Sequence, residues 1–165
     1  MTATALVPAT GGVAFEDGSD HGRVIVSGRE TGGRYALMEY VVAAGGPEHQ
    51  SAPSPAYGAH GHREIEETFL VQQGELQFLL EDQVLTLGPG DFVRVPPGAR
   101  HGFANLTAEP VRLLVSFHPG GFEELFLRHR TDQHPPPRPL GFIEDAVAEF
   151  ASEFEDHPLM TCGSA

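Results

Sequence analysis

The sequence contains no lysine and no tryptophan, and Cys162 is its single cysteine. The absence of lysine excludes Schiff-base chemistry, anchoring of pyridoxal phosphate and a Walker-type phosphate loop. One cysteine excludes an intrachain disulfide framework and thiolate zinc fingers, and it is typical of proteins from a reducing compartment. The longest apolar runs are far shorter than the roughly 20 residues that a membrane-spanning helix needs.

Positive charge is also scarce, because ten arginines face 23 acidic residues and give a net charge of −13. Nucleic-acid grooves and anionic membrane surfaces are bound by clustered cations, so neither partner is expected. The first 14 residues lack a positively charged start and contain Pro8, which does not favour a signal peptide. A length of 165 residues suits one domain, and we expect that domain in the cytoplasm.

The middle of the chain alternates short β-branched and aromatic runs with glycine and proline turns, which predicts an all-β sandwich or barrel. Pro89-Gly90 and Pro97-Gly98 have the pattern of type II turns, in which proline precedes a glycine with positive φ. Several runs are apolar on both faces, which indicates two packed layers. The predicted strands cover 21–27, 34–44, 68–73, 75–81, 83–87, 91–95, 99–105 and 111–117.

The composition changes after Pro119. A short amphipathic helix is predicted over 120–130, followed by a proline-rich connector over 134–139. A second helix is predicted over 143–155; its acidic face is expected to be solvated, with the other face docked on the barrel. The predicted organisation is therefore an N-terminal arm (1–20), a β-barrel (21–119), a C-terminal helical extension (120–157) and a tail (158–165).

Two histidines stand at the start of the most informative stretch. His60 and His62 are two residues apart, so in a strand their side chains share a face and can bind one ion together. Such a pair also arises by chance, and an exposed or hydrogen-bonded histidine pair is the commoner outcome. A longer spaced pattern distinguishes this stretch, and its further members are Glu67, Gly74, Gly90, Pro96, Gly98, His101 and Asn105.

This order of residue types resembles the two motifs of the cupin superfamily, over roughly 23–126. One departure is Ser54, which stands where the family often has a glycine. The resemblance implies an all-β cupin double-stranded β-helix, a jelly-roll barrel, with short C-terminal helices. It also implies one divalent transition metal, and a homodimer, since small cupins usually pair. The implied metal ligands are His60, His62, Glu67 and His101.

The chemistry of these side chains fits that ligand role. Imidazole suits Mn, Fe, Co, Ni, Cu and Zn alike, so the metal stays undetermined, and one carboxylate supplies negative charge against a dication. Glu64 and Glu66 compete with Glu67 for the fourth position. The interval between Glu67 and the motif glycine matches the cupin pattern, and its strand parity with Phe69 and Val71 indicates the cavity side.

A set of apolar and aromatic side chains forms the predicted substrate pocket, although plain core packing is an equally open interpretation of them. On the strand over 34–44, burial of Glu39 would be costly, so Met38 and Tyr40 are expected to face the cavity. Asn105 is expected to support the site rather than to bind metal. The remaining pocket candidates are Tyr57, Phe69, Phe78 and Phe103.

Three runs, 66–78, 88–105 and 119–126, are similar to the quercetin 2,3-dioxygenase-like single-domain cupins. That similarity implies oxygenolytic ring cleavage of a flavonol or other enolisable polyphenol or polyketide, with dioxygen as co-substrate and Glu67 as the acceptor of the substrate's hydroxyl proton. Two alternatives stay open. One is a redox-neutral metal-dependent cyclase, isomerase, dehydratase or decarboxylase of secondary metabolism, and the other is a non-catalytic cupin that binds a small molecule.

Overall fold

The computed structural model describes residues 6–45 and 59–128. Within these two ranges the chain forms nine strands and two helices of one turn each, and neither helix is long enough to cross a membrane. The elements are β1 (Val13–Asp17), β2 (Asp20–Val26), α1 (Gly28–Thr31), β3 (Ala36–Val42), β4 (Glu66–Gln73), β5 (Leu76–Leu80), β6 (Gln83–Leu87), β7 (Phe92–Val95), β8 (His101–Ala104), β9 (Val111–His118) and α2 (Glu124–Leu127).

The strands form two antiparallel sheets, which confirms the all-β prediction. One sheet has six strands in the order β1-β2-β3-β9-β4-β7, and the other has three in the order β6-β5-β8. Neighbours such as β9 and β4 are distant in sequence, so the chain crosses between the sheets as it does in a jelly roll. Apolar side chains from both inner faces fill the space between the layers.

The inner faces follow the period of two that a strand imposes. Along β4, Glu67, Phe69 and Val71 are buried while their neighbours are more exposed. Along β3, Met38 and Tyr40 are buried, and they alternate with the half-buried Glu39 between them. The parity expected for both strands is therefore observed.

The six-stranded sheet begins inside the segment that we expected to be an N-terminal arm. β1 pairs with β2 from Val13↔Val24 to Asp17↔Asp20, and Phe15 is buried in the core. The stretch between β2 and β3 contains the one-turn helix α1. Ser27 caps this helix, because its side chain accepts from the Glu30 amide while the Glu30 carboxylate accepts from the Ser27 amide.

Among the described residues after Pro119, the helix α2 is one turn long and thus shorter than the helix predicted over 120–130. Leu127 is buried, and Phe126 packs its ring 5.1 Å from that of Phe15. The predicted connector, the second helix over 143–155 and Cys162 lie outside the described residues.

Glu123 joins this C-terminal turn to the barrel. Its side chain is fully buried and accepts hydrogen bonds from the backbone amides of Gly28, at 2.5 Å, and Gly121, at 2.6 Å. The backbones meet closely here, since a Cβ added to Gly28 would lie 2.6 Å from the carbonyl carbon of Gly120. Only glycine permits this approach, and the carboxylate satisfies amides that water does not reach.

We therefore expect Glu123→Ala to lower the free energy of unfolding by about 2–4 kcal/mol, because it leaves two buried amides without an acceptor. Urea denaturation of the full chain measures this loss. Glu75→Ala is the matched control, since Glu75 is exposed in the turn between β4 and β5. Equal stability of the two variants would contradict the assigned role of Glu123.

Candidate metal centre

Four side chains from both sheets converge between the layers. Glu67 lies on β4 of the six-stranded sheet, and His101 begins β8 of the three-stranded sheet. His60 forms an isolated antiparallel bridge with His101, in which each backbone amide donates to the other's carbonyl at 2.8 Å. The carbonyl of His62 accepts from the amide of Gly98 at 2.6 Å. Backbone hydrogen bonds thus position the three histidines independently of contacts between their side chains.

The ligand atoms of His60, His62, Glu67 and His101 all lie within 4.8 Å of one another. The Glu67 carboxylate is central, since its Oε2 lies 2.9 Å from Nε2 of His101 and 3.5 Å from Nε2 of His62. His101, His62 and Glu67 are 1%, 3% and 6% exposed, and His60 is half-buried. The cluster is therefore almost shielded from bulk water.

These residues fit a divalent transition metal. The carbonyl of Ala99 lies 3.1 Å from Nδ1 of His101 and accepts the proton of that nitrogen, so Nε2 is the nitrogen that faces the Glu67 carboxylate. Nε2 and the carboxylate oxygen are 2.9 Å apart, a distance at which a proton on Nε2 forms a hydrogen bond and at which a metal ion would take the place of that proton. Metal–nitrogen bonds of about 2.0–2.1 Å hold ligand atoms at most about 4.2 Å apart, so the widest pair here needs to contract by roughly half an ångström.

The electrostatics of the cluster favour an ionised carboxylate. Burial of Glu67 raises the pKa of its carboxyl, but hydrogen bonds from His101 and His62 and the attraction of those rings outweigh burial. The net effect lowers the pKa of Glu67 from 4.5 to about 2. Glu67 therefore carries a full negative charge at neutral pH, as a ligand to a dication must.

The two competing carboxylates lie away from the cluster. Glu66 points to the opposite face of β4, where it forms an ion pair with Arg94, and Glu64 is exposed. Asn105 is buried and is not one of the clustered side chains: its amide donates to the carbonyls of Ala43, at 2.9 Å, and Glu109, at 2.7 Å, and so ties two loops together.

A cavity of about 320 Å³ adjoins the four side chains, and His60 and Glu67 form part of its wall. The structure places four of the expected pocket residues on the same wall: Met38, Tyr40, Phe69 and Phe103. Phe78 is a correction, because it is fully buried behind the wall, with its ring 5.0 Å from that of Phe69, and does not line the cavity. Tyr57 lies outside the described residues.

Several wall residues were not expected from the sequence. They are Asp17, Val115, Phe122, Leu125 and Phe126. Phe122 and Phe126 carried a signal, namely their spacing of four, but it indicated only that one helix face is apolar. No sequence signal pointed to Asp17, because it reaches the cavity through the β1–β2 hairpin and the pairing of that hairpin was not predicted.

A polar group of three residues lies at the Asp17 end of the wall. The hydroxyl of Tyr40 lies 2.8 Å from Oδ2 of Asp17 and 3.1 Å from Oδ2 of Asp20. The other oxygen of Asp20 accepts from the backbone amide of Ala43 at 2.8 Å. Burial and the neighbouring carboxylates raise the pKa of the Tyr40 hydroxyl far above its usual value, so this hydroxyl keeps its proton.

His118 lies outside the four-residue cluster and does not line the cavity. Its ring is exposed and stacks on Tyr35, with 6.0 Å between the centroids. Its Nε2 lies 3.0 Å from Oγ of Ser116 on the outer face of the sheet.

Comparison with known proteins agrees with this architecture. Residues 39–117 match the Cupin_2 family model, which describes a cupin domain. This match includes all four clustered residues, His60, His62, Glu67 and His101. A search of the curated proteins found no match.

Solved structures share the fold at low sequence identity. A conserved protein with a double-stranded beta-helix domain from Klebsiella pneumoniae subsp. pneumoniae is 21% identical, with a TM-score of 0.50 over 64% of this chain and 81% of that one. KdgF from Halomonas sp. is 19% identical, with a TM-score of 0.51 over 64% and 84%. A predicted oxalate decarboxylase from Thermotoga maritima is 13% identical, with a TM-score of 0.51 over 61% and 80%. Residues 39–117 are therefore similar to a cupin domain, and the chain shares its fold with these solved structures.

Proposed function

We propose that the chain is a metal-dependent cupin enzyme that acts as a dioxygenase on a flavonol or another enolisable polyphenol or polyketide. One observation carries this proposal: two of the four candidate metal ligands, His60 and Glu67, also line an otherwise largely aromatic and aliphatic cavity. A buried ligand set that opens onto an apolar cavity suits a flat, oxygen-bearing organic molecule.

A divalent transition metal bound here would supply Lewis acidity and, if redox-active, a path for electrons between substrate and dioxygen. The remaining tasks belong to side chains of this chain. The Glu67 carboxylate lines the cavity beside the other candidate ligands, so it is placed to accept the proton of a substrate hydroxyl. The contact of 2.9 Å between its Oε2 and Nε2 of His101 holds the carboxylate in position for that transfer.

The apolar wall orients the substrate and excludes water. Met38, Phe69 and Phe103 line the same cavity as Glu67, and aromatic rings favour stacked or edge contacts with a flat ligand. A deprotonated, electron-rich enolate held in such a dry cavity reacts with dioxygen without an external reductant. The reaction of the enolate with dioxygen is inferred from the similarity to quercetin 2,3-dioxygenase-like cupins.

One observation also favours the redox-neutral alternative. The ionised Glu67 can move a proton between two positions of an enolisable substrate, which is the step that isomerases, cyclases and dehydratases require. This reaction uses the same ligands and the same cavity but consumes no oxygen. The two functions therefore differ in their dependence on dioxygen.

Metal content is the first test. We expect the full chain, reloaded after chelation with Fe, Mn, Co, Ni, Cu or Zn, to bind about one ion per chain with at least one of these metals. His62→Ala and His101→Ala should each reduce the bound metal roughly tenfold or more, because each removes one of four buried donors. Elemental analysis after desalting measures the content.

His118→Ala is the matched control for metal content, because it removes an exposed histidine outside the cluster. Its metal content should equal that of the wild type. Unchanged metal content in both cluster variants, with folding verified by circular dichroism, would overturn the ligand assignment.

Oxygen uptake separates the proposed reactions. The metal-loaded protein should consume oxygen with a panel of flavonols and polyphenols, and Glu67→Gln should reduce uptake per bound metal on the order of 10²-fold, because the amide accepts no proton. An oxygen electrode and elemental analysis of the same samples provide both quantities. Product formation from the panel under strict anaerobiosis would reject the dioxygenase in favour of redox-neutral chemistry.

A further inference from the structure

The cavity next to the candidate metal centre has a second polar end. Asp17 and Tyr40 line it in addition to His60 and Glu67. The other described residues of the wall are apolar: Met38, Phe69, Phe103, Val115, Phe122, Leu125 and Phe126. A ligand in this cavity therefore meets polar atoms at two places, with apolar surface between them.

The strand register separates these two places. On β9, Leu113 pairs with Tyr40, whereas Phe117 pairs with Glu67. Leu113 and Phe117 are four residue steps apart on β9, which corresponds to about 13 Å along the strand at roughly 3.3 Å per residue. Midway between them, Val115 pairs with Met38 on one side and Phe69 on the other, and all three side chains are apolar.

The second polar end offers hydrogen-bond acceptors. Tyr40 has one hydroxyl proton, which it directs to the carboxylates of Asp17, at 2.8 Å, and Asp20, at 3.1 Å. The groups that this end offers to a ligand are therefore hydrogen-bond acceptors, namely the carboxylate of Asp17 and the lone pairs of the phenolic oxygen. No arginine is among the described residues that line the cavity, so an anionic group here would meet no opposite charge.

Asp17 is exposed whereas Tyr40 is buried, so this end lies at the mouth of the cavity. The hydrogen bond from the buried Tyr40 limits the freedom of the exposed carboxylate. A carboxylate held in this way loses less conformational entropy when it binds a ligand.

We propose that Asp17, oriented by Tyr40, recognises a hydrogen-bond-donating group at the end of the substrate far from the metal-binding oxygens. This inference rests on the proposed function, because it assumes that the opposite end of the substrate is held at His60, His62, Glu67 and His101. It narrows the substrate class to molecules with chelating oxygens at one end and a hydroxyl at the other, such as flavonols hydroxylated on the distal ring. It disfavours substrates with a distal carboxylate or phosphate.

Binding to the Zn-loaded full chain tests this assignment, because zinc undergoes no redox change that would consume the probe. The probes are a 3-hydroxyflavone with a hydroxyl on the distal ring and the same compound without it, titrated by absorbance. The wild type should bind the hydroxylated probe about tenfold more tightly, as a hydrogen bond to a charged acceptor predicts. Asp17→Asn should reduce this ratio to about one to two.

Glu16→Gln is the matched control, since Glu16 is the exposed neighbour of Asp17 on β1 and does not line the cavity. It should keep the wild-type ratio. A ratio near one in the wild type, a full ratio in Asp17→Asn, or no binding of either probe would each overturn the proposal. Binding with the expected ratio but without oxygen uptake by the metal-loaded protein would reject the dioxygenase reaction and still support the role of Asp17.

Discussion

The contact between Glu67 and His101 is the constraint on which the rest of the site depends. One residue belongs to the six-stranded sheet and the other to the three-stranded sheet, so their 2.9 Å approach sets the distance between the layers at this end of the barrel. A buried carboxylate facing imidazole nitrogens is costly unless a cation lies among them. The buried carboxylate and imidazole groups would therefore be stabilised by a bound dication, which apolar packing around them cannot replace.

Backbone interactions support this arrangement from outside the cluster. The His60–His101 bridge fixes two rings through mutual hydrogen bonds, and Asn105 ties the chain after β8 to Ala43. Glu123 connects the C-terminal turn to Gly28, which places the α2 side chains over the cavity. Each of these contacts is a hydrogen bond that involves backbone atoms. Because the backbone of the sheets is rigid, these hydrogen bonds restrict the movement of the site.

Most of the fold was predictable because its signals are local. Strand parity placed Met38, Tyr40 and Phe69 on the inner faces, and the positive φ angles of Gly90 and Gly98 agree with the predicted turns. β1 was missed although Gly18 and Ser19 form a two-residue connection to β2 that is typical of hairpins.

What could not be predicted depends on depth and on pairing between distant strands. Phe69 and Phe78 both face inward, but only the packing shows that Phe78 lies behind Phe69 and away from the cavity. Asp17 reaches the wall because its hairpin brings it against Tyr40, 23 residues later. No periodicity in the sequence reports such a contact, since parity gives the face of a residue and not its depth along the barrel.

The net charge of the chain does not describe the charges inside the cavity. A net charge of −13 describes the chain as a whole, but the cavity is governed by a few groups at its two ends. Glu67 makes one end negative, and a bound dication together with three neutral imidazoles would reverse it to a net +1. Asp17 places a carboxylate at the other end. With the proposed dication bound, the two ends of the cavity would carry opposite charge, which suits the proposed substrate, whose acceptor oxygens and donor hydroxyl lie at opposite ends of an apolar body.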